Sequence, residues 1–221
     1  MNEILVSLEN VSRCYEDGGR RRAALTNISC QVLAGDRVAV TGPSGSGKST
    51  LLHLMAGLDK PTSGVVSWPA LGPETELRPD EICVVFQTPS LLPTLTVLEN
   101  VELSWLLSKR DEANARPAAL GALQKLGLSA IANSLPGEIS GGQMQRVAAA
   151  RAIVCEPRLI LADEPTGQLD STTASKLIEE LLGAVAGSGA ALIVATHDST
   201  IAGCMRRQWR MAPGKFEQRA T

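Results

Sequence analysis

The chain has 221 residues, 44% of them hydrophobic, and its 21 basic residues nearly balance its 23 acidic ones. That length buries a real core within one large domain. A net charge of −2 with only 3% aromatic residues argues against nucleic acid as the main partner, on both electrostatic and base-stacking grounds. The five cysteines (Cys14, Cys30, Cys83, Cys155 and Cys204) are odd in number and lack metal-ligand spacing, the pattern of reduced thiols. No basic segment with a following apolar run opens the chain at Met1-Asn2-Glu3-Ile4-Leu5, so no signal peptide is expected. No apolar run is long enough to span a bilayer, so the chain is expected to be soluble and to reach a membrane only through a partner.

Residues 4–11 alternate apolar and polar side chains, a strand signal. The next stretch, 12–22, holds the turn residues Gly18-Gly19 and the run Arg20-Arg21-Arg22, which reads as a solvated basic tip, with direct lipid or phosphate contact as the alternative. Tyr15 is the single tyrosine, either a ring on which a base can stack or a rim residue packed on its own hairpin. Ile28–Val32 reads as a second strand, 34–36 as a turn, and Arg37–Thr41 as a short strand.

That strand runs into Gly42-Pro43-Ser44-Gly45-Ser46-Gly47-Lys48-Ser49-Thr50, which fits the phosphate-loop pattern G-x-x-x-x-G-K-[ST]. Its glycines let backbone N–H groups turn inward, and the helix expected from Lys48 to about Gly57 points its positive N-terminal end at the same place. Lys48 supplies a charge for the β and γ phosphates, and Ser49 a hydroxyl for Mg²⁺. Kinases, GTPases, helicases and transporter motors share this loop, so it identifies only a nucleoside triphosphate site.

Further on, 59–64 is a turn, 65–67 a strand and 68–80 a loop rich in Pro and Gly. Ile82–Phe86 is an apolar strand ending at Gln87, a polar amide at the sheet edge where ligands bind. Residues 98–107 and most of the chain to 135 read as helical. Ser140-Gly141-Gly142-Gln143 precedes a helix expected over 147–155 and makes a second anion-seeking helix start. Arg158–Ala162 is an apolar strand ending in Asp163-Glu164. The first acid suits Mg²⁺ and the second a general base that orients water. Residues 171–185 form a helix with one apolar face, 190–196 a buried strand ending at His197, and 206–221 a mixed tail with a turn at Pro213-Gly214.

Taken in this order, the motifs resemble the ATP-binding cassette family, the ATPase subunits of ABC transporters, over nearly the whole chain. Gly42–Thr50 looks like Walker A, Gln87 the Q-loop and Ser140–Gln143 the signature. Leu159–Glu164 is similar to Walker B with its glutamate, Leu169-Asp170 to the D-loop, and His197 to the switch histidine. Tyr15 falls where the family places its adenine-stacking aromatic. The stretch from Phe86 to Val101 resembles the lipoprotein-release and macrolide-exporter subfamily, which includes haem exporters and peptide pumps. This chain has Gly167-Gln168 where the family usually has Ser-Ala or Gly-Asn, and Glu81 where relatives often have a basic residue.

The resemblance implies an α/β fold: a P-loop NTPase with a RecA-like core and an antiparallel β subdomain (about 1–87 and 156–221), and a helical subdomain (88–155), in one cassette spanning 1–221. It implies ATP held by Tyr15, Gly42, Pro43, Ser44, Gly45, Ser46, Gly47, Lys48, Ser49, Thr50 and Gln87. Ser140, Gly141, Gly142, Gln143 and Asp170 would meet nucleotide from the facing copy of a head-to-tail dimer. Mg²⁺ would lie near Ser49, Gln87 and Asp163, with Lys48, Glu164 and His197 as catalytic residues. The implied partner is a separate transmembrane permease of the macrolide-exporter or cell-division type, with the ATPase on the cytoplasmic face of a bacterial membrane. The cargo would be haem, lipoprotein, peptide or drug. A division-type ATPase that gates a cell-wall hydrolase is the alternative. The segment from Gln87 to Ser140 leaves no room for the coiled coil of a DNA-repair ATPase.

Overall fold

A computed structural model describes residues 3–74, 77, 80–108 and 110–217. The opening Met1-Asn2, residues 75, 76, 78 and 79 of the expected loop 68–80, and the tail beyond 217 lie outside the described residues.

Two sheets organise the chain. β1 (Ile4–Asp17) and β2 (Arg20–Leu33) form a long antiparallel hairpin turned at Gly18-Gly19, and β4 (Ser63–Ser67) joins the other edge of β1. The hairpin strands extend well past the 4–11 and 28–32 cores expected from alternation. The pairing slips between Leu8 and Val11, where Asn10 takes the left-handed conformation, and this irregularity hides the alternation without ending the ladder.

The second sheet has the order β5-β6-β7-β3-β8-β9. β5 (Ile82–Val85), β6 (Leu159–Asp163), β7 (Ala191–Thr196), β3 (Arg37–Thr41) and β8 (Arg207–Ala212) run parallel, and β9 (Lys215–Phe216) returns antiparallel. β6 and β7 are buried along their whole length, as strands covered on both faces must be. Alternate residues feed two cores. Ile160, Ala162, Leu192 and Val194 pack with the helices α4 (Gly141–Ile153) and α5 (Ser171–Ala184). Leu159, Leu161, Ile193 and Ala195 pack with α1 (Lys48–Met55) and the inner side of the antiparallel sheet. α2 (Val97–Leu106) and α3 (Ala115–Lys125) extend the first core.

Two expectations are corrected. The helix expected over 147–155 begins at Gly141, six residues earlier. Glycines 141 and 142 are poor helix formers, but Ser140 caps the N–H of Gln143 while the Gln143 side chain accepts from the Ser140 N–H, and this reciprocal pair stabilises the start. The described part of the mixed tail, to residue 217, adds two strands: α6 (Ser199–Gly203) leads into β8, which occupies the open edge of β3, and the expected turn at Pro213-Gly214 connects β8 to β9. Among the described residues, no helix is long and apolar enough to cross a membrane.

Candidate active site

Parallel register sets the site. Thr41 is level with Thr196, Asp163 with Ala195, and Val85 with Ala162. Four strands therefore end together, and the residues just beyond them gather at the carboxyl edge of the sheet, where α/β folds bind ligands. Those residues are the 42–47 loop, Gln87, Glu164 and His197.

A cleft of about 460 Å³ opens there, lined by Tyr15, Arg22, Ala24, Ser44, Gly45, Gly47, Lys48, Ser49, Thr50, Gln87 and Glu164. Lys48 is buried, and its Nζ donates to the carbonyls of Gly42 at 3.0 Å and Pro43 at 3.3 Å. The same nitrogen stands 3.4 Å from Glu164 Oε1. His197 Nδ1 lies 3.1 Å from Glu164 Oε2. The glutamate thus bridges the loop lysine and the strand-end histidine, and each carboxylate oxygen has a partner. Glu164 holds a left-handed φ of 45°. Its N–H is fixed to the Ala195 carbonyl at 2.9 Å, and its carbonyl accepts from Gly167 N at 3.1 Å, so neighbouring structure maintains this uncommon backbone conformation.

Asp163 is buried at the end of β6, and its Oδ1 has no hydrogen-bond partner. Burial pushes its carboxyl above the usual range, partly offset by the Ser49 hydroxyl and the nearby His53 and Lys48. A desolvated, half-satisfied carboxylate beside a serine hydroxyl suits a hard divalent cation. Among the described residues no cluster of His, Cys, Asp or Glu could hold a metal by itself, so such a cation would need phosphate and water oxygens as further ligands.

Tyr15 edges the cleft with its ring exposed. Its hydroxyl donates to Asp59 at 2.8 Å, and the Arg13 guanidinium covers one ring face at 4.5 Å while pairing with Asp59 at 2.7 Å. Ser46 is buried, and its Oγ lacks a partner.

Ser140, Gly141, Gly142 and Gln143 do not line this cleft. A side chain added at Gly142 would meet Leu169 and Thr173. Asp170 also lies outside the cleft and caps α5, accepting from Thr172 N, Thr173 N and the Thr173 hydroxyl, bonds that hold its carboxyl below the ordinary range. The expected residues therefore form two groups, one around Lys48 and one around Ser140. Two further residues join them. Arg22, expected on a solvated tip with lipid or phosphate contact as the alternative, reaches the cleft. Gln145 is buried in the signature helix and donates to the Phe86 carbonyl at 3.0 Å, tying that helix to the residue before Gln87. Only the strand register would have revealed Arg22, and nothing local reveals Gln145.

The chain matches the ABC transporter family model over residues 25–167. It is 42% identical over 214 residues to the lipoprotein-releasing system ATP-binding protein LolD of Legionella pneumophila strain Paris, covering 94% of each chain. Identity to the corresponding protein of strain Lens is 41%, with the same coverage. Two solved dimers of the cassette MJ0796 superpose with TM-scores of 0.87 and 0.89 at 39% identity, covering 96% of this chain and 97% of theirs; the first is a post-hydrolysis state bound to ADP and Pi. The cassette cbiO1 of Clostridium perfringens, part of the transporter complex cbiONQ, superposes with a TM-score of 0.84 at 29% identity, covering 97% of this chain and 87% of that one. Since the curated relatives and solved cassettes each cover more than nine-tenths of the chain, the chain belongs to the ABC transporter ATPases, in the lipoprotein-release and macrolide-exporter subfamily, and is an ATP-hydrolysing domain.

Proposed function

We propose that this ATPase works as a head-to-tail dimer on the cytoplasmic face of a bacterial membrane and drives a permease that releases lipoproteins. The observation that carries the dimer is the separation of two phosphate-seeking elements: Lys48 and Glu164 share the cleft, while Ser140–Gln143, a capped helix start exposed at Ser140 and Gly141, lies outside it. Each becomes useful if ATP on one copy's loop is closed over by the other copy's signature helix. The dimeric relatives and the 42% identity to a lipoprotein-releasing ATPase support this reading.

In the proposed site the Tyr15 ring carries the adenine and the 42–50 loop with Lys48 carries the phosphates. Asp163 and Ser49, with Gln87 through water, would hold Mg²⁺, which neutralises phosphate charge when bound. Glu164 accepts the proton of the attacking water, His197 exchanges Glu164 for the terminal phosphate, and Asp170 connects the two sites at the dimer seam. Residues 1–87 and 156–221 act as the core and β subdomain, and 88–155 as a helical subdomain. Beside Gln87 an apolar groove of about 220 Å³, lined by Leu58, Val84, Phe86, Pro89 and Ala148 among others, suits a short helix of the permease.

Ser140→Arg tests the dimer. The variant is expected to bind ATP as the parent does but to remain monomeric by size exclusion with ATP. Loss of ATP binding by the isolated monomer would place Ser140 in its own chain's cleft and overturn the shared site. For the cargo, reconstitution with the cognate permease should give ATP-dependent release of a lipid-modified protein from vesicles. ATP turnover without release would reject the cargo and leave the ATPase intact.

Asp163→Asn tests the cation site. Burial raises the Asp163 carboxyl, so its contribution to stability is full below the unfolded pKa and is lost as pH rises through the folded one. At neutral pH the ionised side chain therefore costs stability. The amide should stabilise the nucleotide-free protein by about 1 kcal/mol, with a melting temperature about 3 °C higher, while Mg²⁺-dependent ATP turnover falls. A lower melting temperature near pH 7 would show that the carboxylate is not under strain.

A further inference from the structure

β1 and β2 pair so that Tyr15 stands opposite Arg22 and Glu16 opposite Arg21. Directly opposed residues of an antiparallel pair share a face of the sheet, and successive residues along a strand alternate faces. The hairpin therefore sorts its arginines. Arg21 goes to the side of Glu16, with which it pairs at 3.2 Å. Arg22 goes to the side of Tyr15 and lines the cleft. Its Nη2 stands 3.3 Å from where a Cβ on Gly45 would lie, so the guanidinium overhangs the outer turn of the phosphate loop.

The other cations around the cleft are engaged. Arg13 pairs with Asp59, and Lys48 with Glu164 and two loop carbonyls. The described residues give Arg22 no acidic partner. A polyphosphate entering the cleft would meet Lys48 from below, where Glu164 already offsets the lysine charge, and an uncompensated guanidinium from above. Guanidinium groups bind phosphate oxygens through two parallel N–H bonds, which suits a group beside the base-stacking ring on the same face of the hairpin.

We propose that Arg22 is a second phosphate-binding cation of the ATP site, contacting the polyphosphate from the hairpin side of the loop, opposite Lys48. The inference rests on ATP occupying this cleft. Because Arg22 is exposed, its contribution is screened by salt and acts on affinity more than on the chemical step.

Calorimetric titration with ATP and with inorganic tripolyphosphate, on the full chain, tests it. Arg22→Ala should weaken both by about tenfold at low salt, and the difference should shrink toward molar salt. Arg22→Lys should recover part of the loss, and Arg21→Ala should bind as the parent does, since that residue faces away. Thermal unfolding without nucleotide confirms that each variant is folded. Parental affinity for both ligands in Arg22→Ala would overturn the proposal. So would a loss for ATP with none for tripolyphosphate, since the contact would then be with base or ribose. If the parent binds neither ligand, the cleft itself is not the ATP site, a failure separate from that of Arg22.

Discussion

Glu164→Gln is expected to reduce ATP turnover by about 10²- to 10⁴-fold, the range for removing a positioned general base, while ATP remains bound. The geometry separates the two effects. The Glu164 backbone is held by its bond to Ala195 and by the Gly167 turn, neither of which involves the side chain. An amide of the same shape therefore keeps its place, but it cannot accept a proton from water. Its interaction with Lys48 also weakens, because the ion pair at 3.4 Å loses its negative partner. That pair partly neutralises Lys48, and with ATP bound the carboxylate would face the terminal phosphate with like charge. Removing the charge should leave ATP affinity equal to or tighter than that of the parent and should accumulate an ATP-bound dimer. Single-turnover phosphate release and size exclusion in ATP read the two consequences independently. Parental turnover in Glu164→Gln would remove Glu164 from its proposed role, and slow turnover with no dimer would remove the proposed link between hydrolysis and opening.

Much of this site was legible because its parts are local. The loop at 42–50, the apolar strands ending at Gln87, Asp163 and His197, and the cap at Ser140 each follow from a few adjacent residues with a definite physical role. Less local features were missed. β8 contains Arg207, Gln208 and Arg210 among only two fully buried side chains, Trp209 and Met211, so its composition does not advertise a strand. What makes it one is the open edge of β3 and the pairing of Arg207 with Asp36, both distant in sequence. The start of α4 was hidden by two glycines whose low helix propensity is offset by the Ser140–Gln143 cap. Arg22 could be placed only after the register of the hairpin was known, and that register passes through bulges near Asn10. The resemblance assigned Ser140–Gln143 to the facing copy's nucleotide, and the fold keeps them out of their own chain's Lys48 cleft.

Gly47→Ala should damage the phosphate loop although it adds only a methyl group. Gly47 has φ 101° and forms the N-cap of α1, with its carbonyl accepting from Leu51 N at 2.9 Å. A Cβ there would lie 2.5 Å from the Ala24 carbonyl oxygen and 2.8 Å from Leu25 Cδ2. Neither neighbour can yield readily: Leu25 is fully buried, and this part of β2 is laddered to β1 at Arg13. The left-handed conformation alone costs about 1–2 kcal/mol for a residue with a Cβ, and the clash with fixed backbone adds about 1–3 kcal/mol. The relief available is for the loop to move, which carries Lys48 with it. A displacement near 1 Å in a site of this kind costs about 10²-fold in rate, so ATP turnover should fall by that order, and ATP affinity with it, while the sheet persists. Gly187→Ala is the comparison, because Gly187 has φ 75° but nothing within 4 Å of an added Cβ. It should lose only the conformational part of the stability and keep ATP affinity. Equal losses of stability in the two variants, with ATP bound normally by both, would show that the approach of Ala24 does not constrain the loop.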